Sequence, residues 1–590
     1  MNGHDGTRDR LLLGLAAVAV AFAAADTYVV VLALPDMMGS VGLGVDQLQR
    51  AAPIISGFLL GYVAMLPLVG RVADLRGRVP VLGAALLVFA LGSLVTAAAY
   101  DLPSLVAGRF LQGLGGGGLV PVTMALVADL YPVERRTVPL GVVGAVQELG
   151  SVLGPLYGAA VLVVAGWRDI FWINLAVAVL LAAGLVWLRR RAPGDVGRLV
   201  RRTDPVGLVL LVAWLAGLLL VMRQPTPLVT SVAWGSPFVP FGDPGSVWGS
   251  IWWSPLGLAT IGLGVLLLLW CLFGGTRRRR PVVDLRGWWA SVRTADLTGA
   301  VLLAVALAGV ILAFATADPR VQVFSAKGRW YLGVGIVAAI GFAWHGRRTA
   351  RPLVPHGALA ERPAWGALLV SFFTGAALIA ALVDVPVFAR LTAYPDSQVR
   401  AALVLLEFLV AVPIGALAGG VLARRLPAGP VATAGMACAT AGFLLMSGWD
   451  DATLHHTSAG LVLALTGLGF GLAIAPVNAV LLAATESSVH GLASALLVVA
   501  RMVGMLVGVS ALTTIGLRRY YAVEGDLPSP HQVCGATSTR CHAYTDLLQG
   551  AGIGQLHAVF VGAAVCAALA GILAVGLFGG LATRRRTLRA

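Results

Sequence analysis

"GLGGGGLVPV", residues 113 to 122, and "GLGFGLAIAP", residues 467 to 476, are two copies of one glycine-rich stretch. The second copy begins 354 positions after the first, and the same offset separates Gly150 from Gly504. One constant offset at separate places is typical of an internal duplication. The sequence therefore predicts two homologous halves.

The composition places both halves in a membrane. Of the 590 residues, 58% are hydrophobic and 12% are charged, and the mean hydropathy is +0.88. Soluble proteins carry about 25% charged residues. The net charge of +15 comes from arginine clusters between apolar stretches, at 189–202, 277–280 and 584–589. Such clusters are typical of cytoplasmic loops that contact the headgroups of the lipid bilayer, which argues against a nucleic-acid partner.

Sixteen stretches have about the 20 apolar residues that cross a bilayer. They lie near 11–35, 51–70, 79–99, 103–128, 138–164, 169–188, 205–222, 252–273, 297–315, 330–345, 365–389, 400–422, 429–447, 458–484, 491–516 and 555–580. We expect an all-α polytopic protein with a six-helix half (1–190), a linker with four membrane helices (191–362) and a second six-helix half (363–590). The arginine bias predicts that both termini are cytoplasmic.

The linker contains a duplication of its own. "RTDPVGLVLLVAWLAG" at 202–217 is similar to "RTADLTGAVLLAVALAG" at 293–309, and Asp204 and Asp296 differ by 92 positions. We therefore expect one helical hairpin to occur twice.

The loop "GRVADLRGR", residues 70–78, resembles the signature loop of the major facilitator superfamily. The matching residues are Gly70, Asp74, Gly77 and Arg78. Glycines permit close helix approach, and an Asp and an Arg can form a charge latch that holds one conformation. The resemblance implies the major facilitator fold, with two six-helix halves. The open alternative is an ordinary basic loop at the membrane surface.

Two further motifs resemble the membrane arginine motif of this superfamily and the motif of its drug:proton antiporter group; "GWRDIFWIN", residues 166–174, also resembles the start of helix six in that group. "AGRFLQG" contains Arg109 and Gln112, for which the resemblance implies a role in proton relay. "QELGSVLGPLYG" contains the antiporter motif, in which small residues form a smooth helix face and a proline bends the helix. That motif comprises Gly150, Gly154, Pro155 and Gly158.

Charged residues inside the apolar stretches are candidates for proton coupling. A carboxylate at membrane depth costs about 2.5–3.5 kcal/mol on insertion scales. Asp26, Glu148 and Arg501 lie at similar depths, so they are expected to neutralise one another as an ion-pair switch. A purely structural ion cluster is the alternative. Asp384, 358 positions after Asp26, is a secondary candidate for the proton path.

Longer stretches, including "DTYVVV", "WRDIFWIN" and "SALLVVARMVGMLVGVSAL", resemble the mycobacterial triacylglyceride transporter family, whose members work with a periplasmic lipid-carrying lipoprotein. The resemblance implies proton-driven export of triacylglycerides or similar apolar lipids across the inner membrane, by alternating access and without a cofactor. It also implies an extended periplasmic segment, which fits residues 517–554. Within it, Cys534 and Cys541 are expected to form a disulfide if the loop is periplasmic; two free thiols are the alternative.

Three other functions compete with lipid export. A multidrug:proton antiporter would use the same fold. An intramembrane enzyme is disfavoured, because the sequence has no H-E-x-x-H or G-x-S-x-G motif and no nucleophile beside a base; no metal site is expected. A scaffold for envelope lipoproteins remains the fourth interpretation.

Overall fold

The structure, a computed structural model, describes residues 3–43, 48–190, 204–224, 251–274, 281–315, 328–395, 397–534 and 541–578. The described residues form helices, short turns and loops, with no strand among them. The predicted all-α architecture with two six-helix halves is confirmed.

The N-terminal half contains six long helices. They are α1 (Gly3–Ser40), α2 (Leu48–Arg76), α3 (Arg78–Ala98), α4 (Leu102–Leu130), α5 (Thr137–Val164) and α6 (Trp167–Arg190). Local sequence fixes their ends. Gly77 separates α2 from α3 with a φ of 96°, a conformation that favours glycine. Asp101 caps α4 by accepting a hydrogen bond from the backbone nitrogen of Ser104 at 2.9 Å.

The linker and the C-terminal half follow. The linker helices are α7 (Pro205–Arg223), α8 (Pro255–Phe273), the short α9 (Leu285–Thr294), α10 (Leu297–Ala315) and α11 (Gly328–Arg348). The C-terminal half comprises α12 (Arg362–Leu391), α13 (Gln398–Leu422), α14 (Ala428–Met446), α15 (Thr457–Ala483), α16 (His490–Gly525), the short α17 (Pro530–Cys534) and α18 (His542–Phe578).

Many of these helices can cross a bilayer. Among the described residues, thirteen are long and apolar enough, or fourteen if α9 and α10, which meet at a bend of 73°, are counted as one span. The predicted number of about sixteen is compatible with this set, which leaves out part of the chain.

The glycine-rich repeats occupy equivalent places in the two halves. A Cβ on Gly113 of α4 would collide with the carbonyl oxygen of Phe58 on α2. A Cβ on Gly467 of α15 would collide in the same way with the carbonyl oxygen of Phe408 on α13. The glycines therefore permit the same close helix pairing in each half, which is the structural meaning of the repeat.

The linker hairpins also repeat, and each is held by one aspartate. In the first, Asp204 caps α7 through the backbone nitrogen of Gly207 at 3.0 Å. The same carboxylate accepts hydrogen bonds from Trp270 Nε1 of α8 at 2.9 Å and from the backbone nitrogen of Val282 at 3.0 Å. One side chain thus joins both helices of the hairpin to the segment that follows them.

Asp296 does the same in the second hairpin. It caps α10 through the backbone nitrogen of Gly299 at 3.0 Å and accepts from the backbone nitrogen of Leu353 at 3.0 Å. His345 Nε2 of α11 lies 2.8 Å from the carboxylate, in the place that a tryptophan takes in the first hairpin. The duplication predicted from sequence is therefore visible in the hydrogen bonds.

The second hairpin lies against both halves. Helix α10 packs on α2 and on α16, whereas α7 packs on α3 of the N-terminal half. Buried residues of α2, α10 and α16 belong to one continuous hydrophobic core. The α10–α11 hairpin therefore borders the seam between the two halves.

The halves touch closely at one end of the bundle, which we call the arginine-rich end because it carries Arg71, Arg76, Arg78, Arg135 and Arg136. There α2 packs on α16, and α5 packs on α13. A Cβ on Gly70 of α2 would collide with the carbonyl oxygen of Gly491 on α16. The arginine-rich end is closed in this structure.

Candidate functional site

A buried ion pair lies inside the N-terminal half. Asp26 of α1 and Arg109 of α4 each expose 1% of their surface. Arg109 Nη1 donates a hydrogen bond to Asp26 Oδ2 at 2.7 Å. Gln112 Nε2 donates to Asp26 Oδ1 at 3.2 Å, and Asn174 Nδ2 of α6 donates to the same oxygen. The aspartate therefore has three donors from two neighbouring helices.

Further contacts hold this network in place. Gln112 Oε1 accepts from Arg109 Nη1 at 2.6 Å, and Gln112 Nε2 donates to Ser93 Oγ of α3 at 2.9 Å. The Arg109 guanidinium lies over the ring of Phe58, 4.3 Å from its centroid. Buried charges are tolerated when they are paired and hydrogen-bonded. Side chains of α2, α3, α4 and α6 thus surround the ion pair that joins α1 to α4.

A second ion pair joins the two halves. Arg501 Nη1 of α16 donates to Glu148 Oε1 of α5 at 3.3 Å, and the two side chains expose 14% and 13% of their surface. The two pairs correct the predicted cluster, because Arg501 is paired with Glu148 while Asp26 is paired with Arg109. Depth along a helix axis, which the sequence provides, does not specify the direction in which each side chain points.

The second ion pair lines a central cavity between the halves. In this closed conformation the cavity is small, with a volume of about 50 Å³, and it is partly open to the outside. Most of its wall is apolar, with leucine, methionine and phenylalanine side chains from α2, α12, α13 and α16. Tyr62, Gln147 and Ser151 add polar groups beside Glu148 and Arg501. The arrangement provides a mostly apolar chamber with one charged pair in its wall.

The predicted latch forms at the arginine-rich end. Arg78 Nη2 lies 2.9 Å from Asp74 Oδ1. The same carboxylate accepts hydrogen bonds from the backbone nitrogens of Gly491 at 2.8 Å and Leu492 at 3.0 Å, in the first turn of α16. A carboxylate is favoured there by the free N–H groups and the dipole of the helix N-terminus. The latch therefore joins the two halves directly.

Arg78 extends this contact. Its Nη2 donates to the carbonyl oxygen of Ser487 at 3.2 Å, and its Nε lies 3.3 Å from Asp129 Oδ2. Arg71 Nη1 donates to the carbonyl oxygen of Ser488 at 3.2 Å. Gly70 has no side chain, which allows α2 to approach α16 closely. Gly70, Asp74 and Arg78 therefore contact the second half directly, while Gly77 forms the turn between α2 and α3.

The antiporter motif packs α5 on α1. A Cβ on Gly150, Gly154 or Gly158 would collide with residues of α1. The facing residues are Ala21, Ala25 and Val29. The side chain of Pro155 is not among the described residues. Because α1 carries Asp26 and α5 carries Glu148, this glycine face fixes the positions of both candidate carboxylates relative to one another.

Asp384 of α12 stands apart from both ion pairs. It makes no hydrogen bond or ion pair with any residue that the structure describes, and its side chain is partly buried. No metal site is evident either, since the described residues contain no suitable group of three or more His, Cys, Asp or Glu.

The last two long helices and their connection form the candidate outer segment. Helix α16 has 36 residues and α18 has 37, against the 20 or so that a bilayer needs. At about 1.5 Å per residue, each helix is more than 20 Å longer than the hydrocarbon core is thick. Cys534, at the end of α17, is joined to Cys541 by a disulfide just before α18.

Two residues of the Asp26 network were not identified from sequence as functional. Asn174 lies in the motif "GWRDIFWIN", but its type and position gave no sign of a partner. Ser93 is one small polar residue in an apolar stretch. The available signal is a polar residue on the face of each helix that points into the bundle. To use it, one must know how each helix is rotated about its axis, which the sequence alone does not specify.

The fold and the latch define a class of membrane transporter. The profile of the Major Facilitator Superfamily matches residues 16–346. The chain belongs to that superfamily. A solved structure of the proton:xylose symporter XylE has the same fold, with a TM-score of 0.50 and 14% identity, and the match covers 98% of this chain and 97% of that one.

Among similar proteins are mycobacterial triacylglyceride transporters. The one from Mycolicibacterium smegmatis is 33% identical over 589 residues, which cover 96% of this chain and 87% of that protein. The one from Mycobacterium tuberculosis H37Rv is 35% identical over 533 residues, covering 88% and 85%. The one from Mycobacteroides abscessus is 34% identical over 527 residues, covering 87% and 83%. The similarity thus includes both halves and the linker.

Proposed function

We propose that this transporter exports triacylglycerides or similar apolar lipids across the inner membrane toward the cell envelope, driven by protons. The observation that carries the proposal is 33% identity to a triacylglyceride transporter along 96% of the chain. The mostly apolar central cavity supports it, because an acyl chain loses no hydrogen bonds when it leaves the bilayer for such a wall. Both termini are cytoplasmic in this proposal, on the strength of the arginine bias.

Asp26 is the proposed proton acceptor. Protonation removes the negative charge that balances Arg109, 2.7 Å away, and the arginine must then find another acceptor. Gln112 already accepts from Arg109, so it can keep the guanidinium solvated by hydrogen bonds while Asp26 is neutral. The proposed relay therefore runs along α1 and α4 inside one half.

Glu148 and Arg501 are the proposed lock between the halves. Their contact joins α5 to α16, so it must change when the halves move relative to one another. Protonation of Glu148 would remove the ionic part of this contact and lower the cost of separation. Asp74 also contacts α16, at its first turn. A movement of α16 would therefore change the Glu148–Arg501 contact and the Asp74 latch together.

A lipid-carrying lipoprotein is the proposed partner. Helices α16 and α18 are longer than a bilayer needs, and α16 begins at the arginine-rich end, so its C-terminal part and the first part of α18 are proposed to project on the opposite side. An apolar lipid that leaves the cavity cannot cross water alone. We propose that the outer parts of these helices guide the lipid or hold its carrier.

A multidrug:proton antiporter is the second candidate. Glu148 in the cavity wall is the specific observation that favours it, since its carboxylate would attract an amphipathic cation once its contact with Arg501 is broken. The antiporter motif is present in the sequence and packs α5 on α1.

Transport in proteoliposomes separates the two functions. The purified protein is reconstituted, and labelled triacylglyceride and a cationic dye are followed side by side under an imposed pH gradient. Gradient-dependent movement of triacylglyceride supports lipid export. Movement of the dye without the lipid would overturn lipid export in favour of the antiporter.

A further inference from the structure

Helix α9 is a short helix that bends sharply away from the apolar helix α10 that follows it. It has ten residues and meets α10 at a bend of 73°. If α10 crosses the bilayer near its normal, as its 19 apolar residues predict, the bend of 73° turns α9 toward the plane of the bilayer. Its position next to the end of α2 places it at the arginine-rich end. It has the geometry of a helix at the membrane interface.

The two faces of α9 are different. Trp288 and Val292 pack against the core that contains α2. Arg286, Trp289 and Arg293 are exposed on the other face, with spacings of three and four residues. Arginine and tryptophan are the residues that prefer the headgroup region of a bilayer.

The outward face is positively charged without an acidic counterpart on the same helix. The one acidic group at its start, Asp284, is half-exposed and is neutralised by an ion pair with Arg76 at 2.9 Å. Arg286 also contacts α8, with its guanidinium 5.2 Å from the ring centroid of Phe273. The exposed arginines therefore complement an anionic surface.

The inner face of α9 holds the end of α2. Arg76 donates to Asp284 Oδ2 at 2.9 Å and to Ser291 Oγ at 3.3 Å, and its guanidinium lies 4.4 Å from the ring centroid of Trp288. Arg76 lies two residues after Asp74, the latch carboxylate. A force that holds α9 in place therefore acts on the part of α2 that closes against α16.

We propose that α9 binds the headgroups of anionic phospholipids through Arg286, Trp289 and Arg293, and that this contact stabilises the closed arginine-rich end. The leaflet surface anchors the helix, the helix anchors Arg76, and Arg76 fixes the end of α2 beside the latch. The second linker hairpin thereby makes the conformational equilibrium sensitive to the lipid composition of that leaflet.

A distance measurement tests this proposal without any transported lipid. Spin labels are placed at Val133 in the N-terminal half and Glu486 in the C-terminal half, after Cys271, Cys438 and Cys566 are replaced. Both label sites are at the arginine-rich end and outside the α9 contacts. The full-length protein is reconstituted in neutral phosphatidylcholine vesicles and in vesicles that also contain phosphatidylglycerol.

Phosphatidylglycerol is expected to increase the population with the short distance. If opening of the arginine-rich end removes half of the attraction between the two arginines and the anionic surface, phosphatidylglycerol raises the ratio of closed to open molecules about fivefold. The variant R286Q/R293Q should lose this response, whereas R286K/R293K should keep it because the charge is retained. The control R424Q/R425Q removes two exposed arginines of the C-terminal half and should respond like the wild type.

Three results would overturn the proposal. They are an unchanged distance when phosphatidylglycerol is added to the wild type, an undiminished response in R286Q/R293Q, or an equal loss in R424Q/R425Q. High salt offers an independent check, because it should weaken the response by screening exposed charges. The readout is independent of whether triacylglyceride is the substrate.

Discussion

The buried ion pair allows stability and transport to be tested separately. Asp26→Asn removes the negative charge 2.7 Å from Arg109 and leaves the arginine buried with 1% exposure. Breaking a buried pair at one partner costs about 3–5 kcal/mol, since the remaining charge is uncompensated. Gln112 still accepts from Arg109, so we expect a loss near the lower limit, about 3 kcal/mol.

The double variant Asp26→Asn/Arg109→Gln removes both charges. It should recover most of the stability, because two neutral amides can keep hydrogen bonds within the same shell. It should not recover proton-driven transport, because no group that changes charge remains there. The matched single variant Arg109→Gln leaves Asp26 buried and should be destabilised in the same way as Asp26→Asn.

Thermal unfolding of the purified proteins, followed by fluorescence, gives the order of stability, and a proteoliposome assay gives transport. The reasoning predicts that the double variant unfolds at a higher temperature than either single variant and transports no better. Two results would refute it: equal unfolding temperatures for Asp26→Asn and the wild type, or normal gradient-driven transport by the double variant.

Three other substitutions test the contacts between the halves. Glu148→Gln should impair transport and lower stability by about 1–3 kcal/mol, because the largely buried Arg501 then lacks its carboxylate partner; transport and unfolding assays on one preparation check this, and unimpaired transport would argue against the lock. Asp74→Asn should lower the ratio of closed to open molecules about tenfold, since a charged acceptor for the N-terminus of α16 is lost; a distance measurement across the arginine-rich end that shows no change would contradict the latch. Gly70→Leu should prevent that end from closing, since its side chain would collide with Gly491; disulfide cross-linking between α2 and α16 at wild-type rates would show otherwise.

The sequence was sufficient for the architecture because its signals are repeated. The glycines of the two copies, such as Gly113 and Gly467, occur at a constant offset, and each turned out to face a backbone carbonyl of a neighbouring helix. The aspartates of the linker, Asp204 and Asp296, repeat in the same way and cap equivalent helices. Duplication lets one half serve as a check on the other.

The pairing of charges was beyond the sequence. Asp26, Glu148 and Arg501 are at similar depths, yet Asp26 points toward Arg109 within its own half. The position of a residue in a helix gives its depth in the membrane, at about 1.5 Å per residue. The partner of its side chain depends instead on the rotation of the helix about its axis and on which helices are its neighbours. From sequence Arg109 is only a relay candidate, although a deeply buried arginine needs a carboxylate partner.

The role of the second hairpin also required the structure. Its sequence shows that it repeats the first, but not that α10 packs on α2 and α16 while α7 packs on α3. The amphipathic pattern of α9 is short, and the sequence does not show that Trp288 lies against Arg76. These contacts depend on where each hairpin packs in the folded protein, which the similarity of the two hairpin sequences does not reveal.

Proton-coupled movement of triacylglyceride is the central claim, and one measurement tests it most directly. Labelled triacylglyceride transport is followed in proteoliposomes with a pH gradient, and again after a protonophore has collapsed the gradient, for the wild type and for Asp26→Asn/Arg109→Gln. The account predicts transport by the wild type that the protonophore abolishes, and none by the double variant. Equal transport with and without the gradient, or by both proteins, would contradict it.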